Sequence, residues 1–132
     1  MSRLGHVTVV VRDYDEAIDF YVGALGFRLV SDDDLGDGKR WVLVSPSGAG
    51  STALLLARAA GDAQRSRIGD QTGGRVFLFL ETEDFSGDYE RMAAAGVKFI
   101  EEPRTEKYGT VAVFEDLYGN RWDLIEASAS RR

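Results

Sequence analysis

The hydrophobic pattern opens with a run of apolar, mostly β-branched residues, HVTVVV at 6–11, which ends at the polar pair Arg12-Asp13. Valine and threonine suit the pleated, buried surface of a sheet, so this run predicts a strand. A helix is predicted directly after it, because Asp13 can cap its start, Glu16 lies where a capping box needs it, and Gly26 suits its end. Apolar residues then recur at helical spacing on one face: Ile18, Tyr21, Val22 and Leu25.

Three further strands are predicted in the first half of the chain. They are FRLVSDDD from residue 27, RWVLVSP from residue 40 and TALLLA from residue 52. The acidic stretch Asp32–Asp37 has glycines nearby and predicts an exposed hairpin turn between the first two of them. SGAGS at 47–51 predicts the next turn. The order of elements in this half is therefore β-α-β-β-β.

The second half repeats this order. A strand is predicted for RVFLFLETED, and a helix that ends at Gly96 is predicted for DFSGDYERMAAAG. The next strand, VKFIEEP, is stopped by Pro103. Two more strands, GTVAVFED and RWDLIEA, are joined by an LYGN turn. Placing Asp13 on Asp84 gives an offset of 71 residues. Tyr21 then falls on Met92, so the helical pattern also agrees. The chain is predicted to be an internal repeat.

Length and composition predict one domain built from these two modules. The chain has 132 residues, of which 44% are hydrophobic and 29% charged, enough for one compact core. We expect a single domain over 1–132, with a first β-α-β-β-β module at 5–57, a connection at 58–74 and a second module at 75–127. The connection is charged and glycine-rich, so it is either a solvated linker, with room for a short helical turn, or a loop that covers a site. The tail SASRR is expected to fray.

The charge and the residue content exclude several functions. A formal net charge of −6 offers no basic surface for nucleic acid or for an anionic membrane. The chain has no cysteine, so any metal must be held by nitrogen and oxygen. Neither a signal segment nor an apolar run long enough to span a bilayer is present. We expect a soluble, cytoplasmic protein.

Three enzymatic signatures are missing as well. SPSGAGS lacks the lysine that a phosphate-binding loop requires. No serine lies in the strand-turn-helix context of a nucleophile, which argues against triad hydrolysis. GDQTGGR does not follow a predicted strand, so a dinucleotide site is not supported.

The only histidine, His6, opens the first strand. At the offset of 71 it corresponds to Phe77. Aligning the turns that precede the two last strands places Asp123 opposite Leu54, to within one residue. Two of these four related positions are therefore polar and two are apolar. Without further information, His6 is either a structural strand residue or part of a site, and Asp123 either lies on a solvated face or points into a cavity.

Several features of the chain occur together: the paired modules, the histidine that opens strand one, the helix AIDFYVGALGF, its counterpart AAAGVKF and the closing VFEDLYGNRWDLIE. With these features the chain resembles the vicinal oxygen chelate superfamily. That group includes glyoxalase I, bleomycin-resistance proteins, extradiol dioxygenases and fosfomycin-resistance enzymes. The resemblance covers essentially the whole chain. It implies an α+β fold in which two tandem β-α-β-β-β modules form a curved mixed sheet around a cavity, commonly completed by a second subunit, so we expect a homodimer.

The resemblance also implies a metal site. Members that use a divalent ion (Zn, Ni, Fe or Mn) take three or four His and Glu ligands from corresponding strands of the two modules, and the ion acts as a Lewis acid on vicinal substrate oxygens. Carried over by position, His6 and Asp123 are two ligands, and we expect them to approach each other in the cavity. The paired Phe77 and Leu54 carry no lone pairs. A third oxygen from Gln71, Glu81 or Glu115 completes the site, or no metal binds.

Several other residues are candidates for a substrate cavity. Arg40-Trp41 and Arg121-Trp122 repeat an arginine beside an aromatic residue, which can bind a carboxylate; alternatively each tryptophan packs between sheet and helix while its arginine stays in solvent. Phe77 and Phe79 form an apolar wall or pack under the helix, and Tyr108 lies at a turn. The substrate-binding candidates are Arg40, Trp41, Gln71, Phe77, Phe79, Glu81, Tyr108 and Trp122.

Two functions remain open. One is a metal-assisted lyase, isomerase or dioxygenase that acts on a small molecule, with His6 and Asp123 among its ligands. The other is a binding protein on the same scaffold, which sequesters a small molecule without metal and without catalysis, as bleomycin-resistance proteins do.

Overall fold

The computed structural model describes residues 1–46 and 51–128. The chain forms two compact units that divide after Gln71. Most of the predicted SGAGS turn, and the predicted tail after Ser128, lie outside the described residues. Within the described ranges, no helix is long and apolar enough to cross a membrane.

The first unit is a four-stranded sheet with one main helical segment. The strands lie in the order β1-β4-β3-β2, and β1 runs parallel to β4 while the other pairs are antiparallel. The elements are β1 (His6–Val11), α1 (Tyr14–Ile18), a π-helical continuation (Asp19–Ala24), β2 (Arg28–Gly36), β3 (Lys39–Ser45), β4 (Ala53–Arg58) and α2 (Gly61–Arg65).

The predicted helix start is confirmed, since the Asp13 carboxylate accepts a hydrogen bond from the Glu16 amide at 2.9 Å. The Glu16 carboxylate itself pairs with the Arg12 guanidinium at 2.7 Å. The helix then widens into π geometry, where the Leu25 amide donates to the Phe20 carbonyl, and Gly26 follows with φ 78°.

The predicted acidic turn over Asp32–Asp37 is wrong in extent. Strand β2 continues to Gly36, and the turn consists of Asp37 and Gly38, both with positive φ. Asp32 is held in the strand because its carboxylate pairs with the Arg40 guanidinium on β3 at 2.8 Å. An acidic, exposed edge strand is a usual way to prevent further strand pairing.

The second unit has the same β-α-β-β-β order, with one strand divided. The sheet order is β5-β9-β8-β6, β7 also pairs with β8, and β5 runs parallel to β9. The elements are β5 (Leu78–Glu81), α3 (Phe85–Ala94), β6 (Lys98–Phe99), β7 (Arg104–Glu106), β8 (Gly109–Glu115) and β9 (Arg121–Ala127). The predicted strand 97–103 is therefore shorter than expected, and a new strand begins after Pro103. The α+β class with two tandem β-α-β-β-β modules is confirmed.

Each sheet has two faces that alternate along every strand. The helix face packs on the helix of its own unit and holds fully buried residues, such as Val9 and Leu56 with Tyr21 in the first unit and Leu124 with Met92 in the second. The opposite side is termed the far face. This alternation decides which candidate residues are available to a site.

A buried turn fixes β9 against β8. Asp116 and Asn120 are only 5% and 3% exposed. The Asp116 carboxylate accepts hydrogen bonds from the amides of Tyr118 and Asn120 and from the Asn120 side chain, each at 2.9 Å. The turn thereby sets the register in which Asp123 lies opposite Val113.

Candidate functional site

His6 lies on the far face of the first unit. It pairs in register with Ala53 of β4, on the side opposite Val9. The ring of Trp41 approaches the imidazole edge-on, with ring centroids 6.0 Å apart, and the Trp41 side chain is 37% exposed. An aromatic surface beside a histidine is suited to contact with an aromatic ligand.

A cavity of about 370 Å³ lies next to this pair, within the first unit. This volume is within the range of small-molecule sites. Its lining includes Arg3, His6, Arg28, Leu43, Ser45 and Ala53.

Asp123 lies on the far face of the second unit, opposite Phe79 of β5 and Val113 of β8. Asp123 is only 8% exposed, and its Oδ1 atom has no hydrogen-bond partner within the described part of the chain. Burial raises the pKa of this carboxyl; the charge of Arg104 opposes that rise, and the charge of Glu101 adds to it. Phe79 is 62% exposed.

Arg104 is the centre of an ionic cluster in the second unit. Its guanidinium contacts Glu101, the Glu106 carboxylate at 3.2 Å and the Tyr108 hydroxyl at 3.5 Å. Tyr108 contributes most to raising the pKa of Arg104, with smaller contributions from the two carboxylates. The hydroxyl of Tyr108 therefore lies in a charged cluster at the β7–β8 turn.

The two Arg-Trp pairs have different surroundings. Trp122 is 3% exposed and stacks on Phe114 at a centroid distance of 5.7 Å, on the helix face. For this tryptophan the packing alternative is the observed one, and Arg121 is exposed. Trp41 instead lies on the far face.

Arg40 points away from its neighbour Trp41, because consecutive strand residues face opposite sides. Its guanidinium pairs with the carboxylates of Asp32 at 2.8 Å and Asp15 at 2.9 Å, and lies over the ring of Tyr14. Asp32, and then Asp15, raise the pKa of Arg40. The anion partners of this arginine thus come from its own unit.

The proposed third oxygen ligands have local partners or exposed positions. The Gln71 side-chain oxygen accepts a hydrogen bond from the Val10 amide at 3.4 Å, on the outer edge of β1. Glu115 pairs with Lys98 at 3.4 Å. Glu81 is exposed and lies opposite Ile125.

The strand registers correct one equivalence between the modules. Thr8 pairs with Leu55 and Phe79 pairs with Asp123, so at the offset of 71 the counterpart of Asp123 is Leu55. Leu54 lies on the helix face and is 5% exposed. Leu55 lies within the one-residue tolerance of the prediction, and the choice matters because a shift of one residue moves a side chain to the other face. Both candidates are apolar.

The donor set does not fit the metal site of the family. The counterparts of His6 and Asp123 are Phe77, which is half-buried, and Leu55, and neither carries a lone pair. Among the described residues, no three His, Cys, Asp or Glu side chains are grouped so that they could hold a metal ion. His6 and Asp123 belong to different units, and their approach to each other remains a prediction.

Sequence reasoning missed Arg28 and Ser45. Both line the cavity next to His6 and pair with each other across β2 and β3. The strand pattern alone gave no reason to select them, because the acidic end of β2 was predicted to be a turn and the pairing of β2 with β3 was therefore not known.

Asp123→Asn is expected to raise stability at pH values at which the wild-type carboxyl is ionised, because ionisation leaves a charge on a largely buried group. A folded-state pKa above the ordinary value means that this group contributes more to stability when it is protonated, and that this contribution is lost as the pH rises through the raised pKa. The difference in melting temperature between variant and wild type should therefore be small below the ordinary pKa of an aspartate and grow as the pH rises through the raised pKa. Equal melting temperatures of the variant and the wild type across the whole pH range would contradict the raised pKa of Asp123.

Comparison with known proteins identifies the family. The model of the Glyoxalase/Bleomycin resistance protein/Dioxygenase superfamily matches residues 3–124. An uncharacterized protein of Shewanella frigidimarina is 57% identical over 122 residues, which are 92% of this chain and 90% of that protein.

Two solved structures have the same fold at more than 30% identity. The crystal structure of UcmS2 has a TM-score of 0.82 and 33% identity, and the match covers 95% of this chain and 98% of that one. TnmS3, an antibiotic binding protein from Streptomyces sp. CB03234, has a TM-score of 0.77 and 32% identity, over 97% of this chain and 98% of that one. With its family model matched over almost its full length, the chain belongs to the glyoxalase/bleomycin resistance protein/dioxygenase superfamily.

Proposed function

We propose that this protein binds a small aromatic molecule reversibly, without metal and without catalysis. The observation that carries the proposal is that the residues equivalent to His6 and Asp123 in the other module, Phe77 and Leu55, are both apolar. Apolar side chains cannot coordinate an ion, but they suit the wall of a binding cavity.

The far faces support this function in each unit. Trp41 is exposed beside His6 in the first unit, and Phe79 is exposed beside Asp123 in the second. An exposed aromatic ring beside a polar group provides an apolar stacking surface for a ligand. The similar TnmS3 is described as an antibiotic binding protein, which agrees with a binding role for this scaffold.

A second candidate is a metal-assisted lyase, isomerase or dioxygenase. The buried Asp123 oxygen without a partner favours it, because such an atom suits a ligand that the rest of the chain does not supply. The small number of nitrogen and oxygen atoms available as metal ligands favours the binding protein instead.

Trp41→Ala should weaken the binding of an aromatic probe about tenfold, because the exposed indole supplies stacking and apolar contact. The probe is 2-naphthol, titrated into protein dialysed against EDTA and followed by calorimetry. Leu117→Ala is the control, since Leu117 is also an exposed apolar residue, 43% accessible, but lies in the β8–β9 turn. If the wild-type protein does not bind 2-naphthol, or if both variants bind like wild type, the proposed site is wrong.

His6→Ala should reduce the affinity for 2-naphthol more than it changes the melting temperature, because an exposed imidazole contributes little packing to the core. The metal content of protein purified without chelator should be well below one ion per chain. Stoichiometric, tightly held Zn²⁺ or Ni²⁺ that is lost in the His6→Ala variant would reject the binding protein and support the metalloenzyme.

We further propose that the protein is a homodimer in solution. Strand β2 exposes the apolar side chains of Leu29, Val30 and Leu35, and this apolar surface is suited to side-chain packing against a second copy of the chain, without pairing of the acidic strand edge. Multi-angle light scattering at micromolar concentration should give twice the chain mass of 14.5 kDa. A mass of one chain throughout that range would reject the dimer.

A further inference from the structure

We propose that the cavity beside His6 is a subsite for an organic carboxylate, and that the natural ligand therefore has an anionic group on an apolar body. This inference rests on the proposed binding function and specifies its ligand. It concerns Arg3, Arg28 and Ser45, which lie in the first unit with His6.

The subsite follows from one row of residues across the sheet. His6 on β1 pairs with Ala53 on β4, and Arg28 on β2 pairs with Ser45 on β3. The β3–β4 register, Leu43 with Leu55 and Val44 with Leu54, places Ser45 next to Ala53. Two small side chains thus form the floor of a groove, between a histidine and an arginine, and the four residues line the same cavity.

The charge of this groove is opposite to that of the chain. The net charge is −6, yet none of the described residues that line the cavity is acidic. Arg3 and Arg28 form no ion pair with any residue that the structure describes. The same holds for Arg58, Arg67, Arg75 and Arg121, but of these six arginines only Arg3 and Arg28 line this cavity. A guanidinium binds a carboxylate through two parallel hydrogen bonds.

Ser45 provides the independent evidence for a ligand. It is 2% exposed, and its hydroxyl has no hydrogen-bond partner among residues 1–46 and 51–128. A buried hydroxyl without a partner loses its hydration and gains nothing in return, so such groups are few in native proteins and suit a partner that the chain itself does not supply. A carboxylate oxygen in the groove would accept its hydrogen bond.

The rest of the lining defines the body of the ligand. Leu29, Val30 and Leu43 are apolar, and Trp41, which is outside this lining, contacts the His6 ring edge-on. The volume of about 370 Å³ admits a molecule with one or two rings. The groove therefore combines an anion site with an apolar wall.

The test compares two probes that share one ring system, 2-naphthoate and 2-naphthol, by calorimetry with EDTA-dialysed full-length protein. We expect 2-naphthoate to bind at least about tenfold more tightly, as one charge-assisted bidentate contact provides. Arg28→Gln should remove most of that preference, because it should weaken the binding of 2-naphthoate much more than that of 2-naphthol. Arg67→Gln is the matched control, since Arg67 is exposed, lies in the same unit and is not part of the cavity lining.

Ser45→Ala adds a readout that a purely structural role would not produce. The melting temperature should stay equal or rise, because a hydroxyl without a partner is removed from the interior, and 2-naphthoate should bind about fivefold more weakly. Equal affinity for the two probes, or an Arg28→Gln variant that keeps the preference, overturns the carboxylate subsite and leaves the binding function intact. Failure of both probes to bind overturns the proposed function and this inference with it.

Discussion

The parallel pairing of the first strand of each unit with its last strand is the constraint on which the rest of the structure depends. β1 lies beside β4 and β5 lies beside β9, and each pair runs in one direction. Because parallel neighbours in register present their side chains on the same side, this pairing places Val9 with Leu56 on the helix face and Phe79 with Asp123 on the far face. In each unit the helix that follows the first strand returns the chain, so that the next strand runs in the same direction as the first. The helix caps at Asp13 and Asp84 set where each return begins.

The same alternation separates structural from ligand-facing chemistry in the Arg40-Trp41 pair. Arg40 points to the helix face, where two carboxylates and the ring of Tyr14 hold it. Trp41, one residue later, lies beside His6 on the far face. Adjacent residues of plausible site chemistry can therefore belong to different faces of a sheet, and of this pair only Trp41 lies on the same face as His6.

The sequence was sufficient for features that depend on local chemistry. Asp13 and Asp84 cap helices because their carboxylates reach amides three residues on, and the β-branched run 6–11 has no better conformation than a strand. It was insufficient wherever a distant partner decides. The acidic end of β2 is extended because Asp32 pairs with Arg40 on the next strand. The counterpart of Asp123 is Leu55 and not Leu54, because strand pairing, and not the local sequence pattern, sets the register. The approach of His6 to Asp123 is of the same long-range kind and stays a prediction.

Two buried polar groups show how the far faces differ from the cores. The Asp123 Oδ1 atom and the Ser45 hydroxyl both lack hydrogen-bond partners in the described chain, and each lies on the far face of its own unit. A fold selected for stability alone would replace such groups with apolar ones, because an unsatisfied buried polar atom costs free energy. Their surroundings differ: Asp123 lies under the influence of charges of both signs, those of Arg104 and Glu101, whereas Ser45 pairs in register with Arg28 and shares a cavity with it. A serine hydroxyl beside a guanidinium donates a hydrogen bond to an anion. The far face of the first unit is therefore suited to the anionic group of a ligand.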